Sequence, residues 1–368
     1  MKKKLWIWED TQYPHFSYDK QKLEQHILET IRMQGKLEGS VKHLSLDTQN
    51  RFQAETILDE ILFTSAMEGE ILHRDSVRSS LRKQFENIDD FQGSTHTDNI
   101  AFVQYDVNTN NKPLSLERLN RWHYELMVNG EYDATQVSPG AFRAYDEMYV
   151  TSGLGTKTRI HYVAPPADRL ASLVDDFLMY CNSTMDNPLI QSAIAHIWFV
   201  QIHPYGDGNG RIARNITNHL LSKHMGLDSR YFSLSHAVNN DLKKYGHILE
   251  ETNKLAKNPN LDLTSWIVWH TQIVQNAIEM SIDAIDKTIA KTKFYDKIRE
   301  VKISDNQSKA IDFLLSSKAP SINNSMYRVL TGTSQVTASR QLNDLVKKGV
   351  LEKVAEQKAR SSAYVLCL

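Results

Sequence analysis

The stretch His203-Pro-Tyr-Gly-Asp-Gly-Asn-Gly-Arg-Ile-Ala-Arg214 decides how this chain is read. Before it stand Ile190, Ala193, Ile194, Ile197, Trp198 and Val200, a density of apolar residues that predicts a buried helix over 187–202. After it a second helix opens within 210–214 and continues to about Lys223. Gly206, Gly208 and Gly210 crowd the junction, which is costly unless the backbone must approach something closely. Glycines let the main-chain N–H groups of 208–211 point into one concavity, and the following helix N-terminus adds positive potential, so the stretch predicts an anion site. Arg211 and Arg214, three residues apart, share a face at its mouth. Asp207 sits among these donors, where a bare phosphate would repel it; a bridging Mg²⁺ removes the conflict. Together the residues point to a metal-bound polyphosphate, with His203 as a base beside it, fixed by Pro204 and the end of the buried helix.

Upstream the pattern is mostly helical. An aromatic arm, Lys4 to Ser17, carries Trp6 and Trp8 and is expected to pack against the body. Helices are expected around Leu23, Ile27 and Ile31, from Asp47 to Met67, and from Arg74 to Phe85. Gly69 suits a left-handed position just past the second of these. Gly93 to Asp98 reads as a polar linker, a further helix precedes Asn108, and Ser115 caps one bearing Leu116, Leu119, Trp122 and Leu126. From Ala144 to Val163 the pattern becomes a β-hairpin turning at Gly153-Leu-Gly155, ended by Pro165-Pro166. The run Gly153 to Thr158 is only superficially a P-loop, and His196 reads as a core histidine, no third metal ligand being evident beside it and His203.

Downstream, helices continue to about Arg299, and Ser304 begins another module: helices 305–315, 323–330 and 334–347, with a hairpin over 350–365, a winged helix-turn-helix pattern. Arg340, Lys347, Lys348, Lys353, Lys358 and Arg360 lie where phosphate contacts to DNA are expected, and Ser334, Gln335, Thr337, Ser339 and Gln341 could read bases; packing against a protein is the alternative.

Bulk properties bound the reading. A formal charge of −1 excludes a global field for nucleic acid or membranes. No stretch approaches the roughly 18 apolar residues of a membrane span, so a cytoplasmic protein without membrane contact is expected. Cys181 and Cys367, far apart and outside any CxxC, exclude a disulfide framework and a zinc cluster.

The same twelve residues resemble the Fic family motif, His-Pro-Phe-x-Asp/Glu-Gly-Asn-Gly-Arg-x-x-Arg, with Tyr205 replacing Phe. Tyr205 reads as a core-facing aromatic whose hydroxyl needs a partner. The fold class implied is mainly α: a Fic-type helical core with a small β-hairpin flap, plus the C-terminal winged helix-turn-helix domain. The expected division is an arm and helical region at 1–100, a catalytic domain at 101–300, and the winged domain at 301–368. The resemblance implies that His203 deprotonates a hydroxyl and that Asp207 holds Mg²⁺. Asn209 with the amides of Gly208 and Gly210 cradles the α-phosphate of ATP, and Arg211 and Arg214 bind the β- and γ-phosphates. Thr64-Ser-Ala-Met-Glu-Gly69 resembles the family's inhibitory motif, in which Glu68 pairs with Arg214. An acid in a helix's last turn opposes the macrodipole, by roughly 0.3–1 kcal/mol, and independently calls for a cationic partner. The hairpin, over 143–150 and 158–163, implies a target-docking edge, with Tyr149, Val150, Ile160 and Tyr162 as contact residues.

The expected function is an autoinhibited protein adenylyltransferase that moves AMP from ATP to a Tyr, Thr or Ser hydroxyl of a protein partner or of itself. Removal of AMP, with Glu68 positioning water, and transfer of another phosphate-linked group stay open on the same site. A DNA-binding regulator that senses nucleotide is the alternative of another class, and an intact base at His203 weighs against it. The oligomeric state is open, a homodimer included.

Overall fold

The computed structural model describes residues 5–86, 94–152, 158–183, 186–225, 229–316, 321–354 and 362–367. The expected turn at Gly153 to Gly155, and Gly93, Lys358 and Arg360, lie outside them. The helices up to the motif are α1 (Lys20–Lys42), α2 (Leu46–Met67), α3 (Arg74–Phe85), α4 (Thr95–Thr109), α5 (Leu116–Met127), α6 (Leu170–Ser183) and α7 (Pro188–Ile202). Between α5 and α6 come strands β1 (Tyr149–Ser152) and β2 (Arg159–Val163). After the motif follow α8 (Asn209–Met225), α9 (Leu234–Asn240), α10 (Leu242–Asn253), α11 (Thr264–Lys297) and α12 (Asp305–Ser316). Strand β3 (Ile322–Asn323), α13 (Asn324–Thr331), α14 (Gln335–Lys347), β4 (Leu351–Val354) and β5 (Ala363–Leu366) complete the chain.

The chain divides into two compact units, residues 1–39 with 45–281, and residues 40–44 with 282–368. The first unit thus holds most of the helical region expected at 1–100 together with most of the region expected at 101–300. The arm is stitched into the larger unit: Ile7 is fully buried, Trp8 Nε1 donates to Val163 O at 2.7 Å, and Leu255 N donates to Leu5 O at 3.0 Å. The second unit begins well before 301, because Phe294 and Ile298 belong to its hydrophobic core.

In the first unit α7 is the central element. Asn187 caps it by accepting from Leu189 N, Pro188 supplies a preset first turn, and all but one of the residues from Leu189 to Ile202 are buried. A helix apolar all round can only be enclosed, and α8 packs along it. Fully burying a side chain such as Phe199 contributes about 1.5–3 kcal/mol. The polar stretch read as a linker instead opens α4: Ser94 accepts from Thr97 N at 3.1 Å while Thr97 Oγ1 hydrogen-bonds back to Ser94 N, and Thr97 is buried.

The second unit holds α12 to α14 and an antiparallel sheet of order β3-β5-β4, with Leu351 opposite Leu366 and Ile322 opposite Tyr364. Ser334 caps α14 by accepting from Thr337 N, and Gly332, at φ +68°, ends α13. Ile311, Tyr327, Ala338, Leu342 and Leu345 fill the interior.

Candidate active site

The site grows from the end of α7. His203 adopts a left-handed conformation, φ 50° and ψ 57°, and its N–H closes the helix on Phe199 O at 3.0 Å. Its Nδ1 lies 3.1 Å from Val200 O, which can only accept, so the neutral ring carries its lone pair on Nε2. Burial pushes the imidazole down to about 4, and the charge of Arg143 adds to that, so His203 is an unprotonated base at neutral pH.

Arg143 braces this point. Its N–H and Nε donate to Pro204 O and His203 O, both at 3.0 Å, one terminal nitrogen donates to Tyr145 O at 2.7 Å, and the other to Pro165 O. Sequence reasoning placed Arg143 at the docking edge; the structure buries it as a strut between the motif and the base of the hairpin.

The loop itself is tied from within. Asn209 Nδ2 donates to Tyr205 O at 2.8 Å and its Oδ1 accepts from Tyr205 N at 3.1 Å. The side chain thus holds the loop closed, a different part from the phosphate contact the resemblance implies. Tyr205 is fully buried, donates to Asn120 Oδ1 at 2.8 Å and stacks on His123 with centroids 4.0 Å apart, so its hydroxyl finds the partner it needs. Gly208, at φ +76°, occupies a conformation other residues rarely reach. Beyond it α8 starts, and the amides of Asn209, Gly210 and Arg211 lie in its first turn, where no intrahelical acceptor exists. Asp207 is exposed and accepts from Gly208 N through one oxygen at 2.6 Å.

Arg211 and Arg214 are both buried, not at an open mouth, and each meets an acid. Arg214 donates from Nε to Thr64 Oγ1 at 2.7 Å and from Nη2 to Glu68 Oε1 at 2.6 Å and Thr64 O at 3.3 Å. A Cβ on Gly210 would come within 2.6 Å of Glu68 Oε1, so that carboxylate rests on the first turn of α8. Burial alone would raise the Glu68 carboxyl, but Arg214, with Arg211 and His203 behind it, holds it below the usual range. Arg211 donates from Nη1 to Glu70 Oε2 at 3.1 Å, and the other Glu70 oxygen lies 2.5 Å from His96 Nε2.

The placement of both acids follows from how α2 ends. Gly69, at φ +83°, donates to Ala66 O and Glu70 N donates to Ser65 O, both at 3.0 Å, a complete Schellman cap. Glu68 and Glu70 flank the left-handed glycine and are turned to different arginines. Further up α2, buried Glu60 accepts from Asn218, Ser233 and Ser235 at 2.6–3.0 Å. Glu60, Thr64 and Glu68, four apart, form one stripe facing the matching stripe Asn218, Arg214 and Gly210 of α8. Sequence reasoning found Thr64 and Glu68 but neither Glu60 nor Glu70; an acid directly after a C′ glycine was the available signal for the latter.

The flap is a two-stranded antiparallel sheet, Tyr149 opposite Val163 and Ser152 opposite Arg159, with a shift in register between Val150 and Thr151. Tyr149 and Ile160 are 42% and 48% exposed and Val150 is half-buried. Tyr162 is not a contact side chain: it is 2% exposed, donates to Gln201 O at 2.8 Å and meets Trp6 edge-on. His161, left without a cross-strand partner, bonds Ser152 Oγ at 2.6 Å and faces Glu250 of α10, which also takes Arg159. His196 is a core residue, bonded to Thr217 and Tyr245, both at 3.0 Å.

Among the described residues no cluster of three or more His, Cys, Asp or Glu side chains is arranged to hold a metal, and no helix is long and apolar enough to cross a membrane. The single exposed carboxylate of Asp207 beside free amides fits a Mg²⁺ that arrives bound to phosphates, since that ion keeps several waters and takes one or two carboxylates.

A helix N-terminus behind a glycine loop, a neutral imidazole and two buried arginines meet at this point, and residues 113–221 match the Fic/DOC family. The chain thus carries a Fic/DOC domain over that span, and residues 6–86 match a separate domain of unknown function, DUF4172. Protein adenylyltransferase Fic of Drosophila ananassae is 27% identical over 197 residues, 50% of this chain and 36% of that protein. Its counterpart in Drosophila grimshawi is 32% identical over 113 residues, 30% of this chain and 19% of that protein, and fic-1 of Caenorhabditis briggsae is 26% identical over 210 residues, 55% and 38%. The chain thus spans less than half the length of these relatives. In fold it is similar to a Fic family protein from Desulfovibrio desulfuricans, TM-score 0.52 at 18% identity over 93% of this chain and 95% of that one. Fic-1 of C. elegans gives 0.50 at 18% identity over 74% and 76%.

Proposed function

We propose that the first unit is an autoinhibited protein adenylyltransferase that transfers AMP from ATP to a Tyr, Thr or Ser hydroxyl of a protein, itself included. The observation that carries this reading is Glu68 Oε1 seated on Arg214 and over Gly210, an anion held where a terminal phosphate of the nucleotide belongs. His203 Nε2 takes the proton of the incoming hydroxyl, whose oxygen attacks the α-phosphorus; the bond to the β-phosphate oxygen breaks and pyrophosphate leaves. The first-turn amides of α8 meet the α-phosphate and Arg211 and Arg214 the terminal ones. When bound, Mg²⁺ at Asp207 supplies charge to the phosphate oxygens. The exposed flap residues Tyr149, Val150 and Ile160 suit pairing with an extended segment of the target, which orients the hydroxyl through backbone contacts. The second unit we read as a winged helix-turn-helix module with α14 presented to DNA or to a protein, and the setting as cytoplasmic, where ATP is at hand.

Intact-mass measurement of the Glu68→Gly chain after incubation with ATP and Mg²⁺, alone and in a cell lysate, tests the reading. A gain of one AMP is expected, lost in Asp207→Ala and on adding EDTA while the fold is kept. Equal labelling with Mg²⁺ and with EDTA would remove Asp207 as the metal ligand. Loss of AMP from an already modified protein by the wild type would favour the reverse reaction.

A further inference from the structure

The two acids beside Gly69 leave their arginines in different states. Arg214 is spent on the Glu68 side: Nε is on Thr64 Oγ1 and Nη2 is shared by Glu68 and Thr64. Arg211 gives Glu70 only Nη1, and its Nε is buried without a hydrogen-bond partner although the side chain is only 7% exposed. A guanidinium carries five N–H donors in a rigid fork, so one grip on a terminal nitrogen anchors that end of the side chain and leaves the other donors to an acceptor that arrives. Glu70 is itself fixed at three points: its backbone N–H on Ser65 O, one carboxylate oxygen on His96 and the other on Arg211. A carboxylate so tethered cannot follow the guanidinium to a new position, and a buried guanidinium with an unmet N–H is poised toward an anion.

We propose that Glu70, braced by His96, is a positioning residue that holds Arg211 with its remaining N–H groups facing the terminal phosphates of a nucleoside triphosphate. Glu70 thus favours the triphosphate where Glu68, two residues earlier, opposes it. The inference rests on the nucleotide site proposed above and assigns opposite signs to two acids that share one helix cap.

The test uses the full chain carrying Glu68→Gly, with Glu70→Gln, Glu70→Asp or His96→Gln added. Calorimetric titration with ATP and with AMP, both in Mg²⁺, is expected to show ATP binding weakened about tenfold by Glu70→Gln, with AMP, which lacks the terminal phosphates, nearly unchanged. The KM for ATP in AMP incorporation rises while kcat is kept; His96→Gln gives a smaller loss of the same kind, and Glu70→Asp restores part of it. Tighter ATP binding in Glu70→Gln would make Glu70 a second lock, and equal weakening of ATP and AMP would make its role merely structural; either overturns the proposal. Arginine-labelled NMR gives a nucleotide-free reading: the Arg211 Nε–H resonance, assigned with Arg211→Lys, is expected to be resolved in the parent and broadened in Glu70→Gln. An unchanged resonance overturns the proposal. If the parent binds neither nucleotide, it is the nucleotide site that falls, and the resonance still decides what Glu70 does.

Discussion

Glu60, Arg143, Arg211, Arg214, His196 and His270 are all buried in the first unit, whereas the second closes around Ile311, Tyr327, Leu342, Leu345, Leu351 and Tyr364, with Gln307 its only buried polar residue among those described. Paired buried charges are weak contributors to stability, because desolvation offsets most of the attraction. Their concentration in the first unit is explained by what they hold: the stripe Glu60, Thr64 and Glu68 sets α2 against α8, and Arg143 fixes the loop. An apolar interior, by contrast, decides a fold and leaves recognition to the surface. The difference teaches where to look for chemistry in each unit, inside the first and outside the second.

The sharpest way to break this comparison is to remove the acid that covers buried Arg214 and ask for a gain. Glu68→Gly is expected to raise AMP incorporation from labelled ATP at least about tenfold, since close charge pairs couple by about 1.5–7 kcal/mol and a tenfold change needs only about 1.4. A rate no higher than wild type, with ATP still bound, would return the pair to a structural role.

Acid should separate the units next. Burial pushes His123 down to about 4 and His219 and His270 to about 3, and holds His196 well below its ordinary value. Between these values and about 6.5 the unfolded chain binds more protons than the folded one, so stability rises with pH; it is intact above about 6.5 and lost on acidification, by about 1.4 kcal/mol per pH unit for each such group. The second unit, residues 40–44 with 282–368, contains no tryptophan and exposed His43 as its one histidine, so tryptophan fluorescence follows the first unit alone. Its melting temperature is expected to fall steadily from pH 7 to pH 4; a flat profile would show those rings to be free to protonate in place.

Inside the second unit the effect should be on folding only. Leu342→Ala is expected to cost about 2–5 kcal/mol there, read by amide exchange of α14, with AMP incorporation unchanged. Lost transfer in the folded variant would tie that core to catalysis.

Features whose cause lies within a few residues were legible in the sequence: the loop after α7, the glycine that ends α2, and Ser115 as a cap. Features whose partner lies far along the chain were not. Glu70 meets Arg211 across 141 positions and Arg143 meets His203 across 60, and no local pattern announces either pairing. Tyr162 failed for a subtler reason. Ile160 and Tyr162 stand two apart, which in an unbroken strand puts them on one face, but the register shift skips His161, so one is exposed and the other is buried. Asn209 carried a motif's meaning, and only the structure shows its amide spent on the loop.

The left-handed backbone of His203 bears on how the site is dissected. A residue with a Cβ and no side chain able to hydrogen-bond locally is strained there by roughly 1–2 kcal/mol, while asparagine visits that region readily. His203→Ala would therefore combine two losses, the proton acceptor and an unstrained stop to α7, and a slow, easily melted enzyme could be misjudged as a misfolded one. His203→Asn separates them: the backbone keeps its turn, the melting temperature should hold, and whatever activity disappears, about 10²- to 10⁴-fold for a general base, belongs to the imidazole alone.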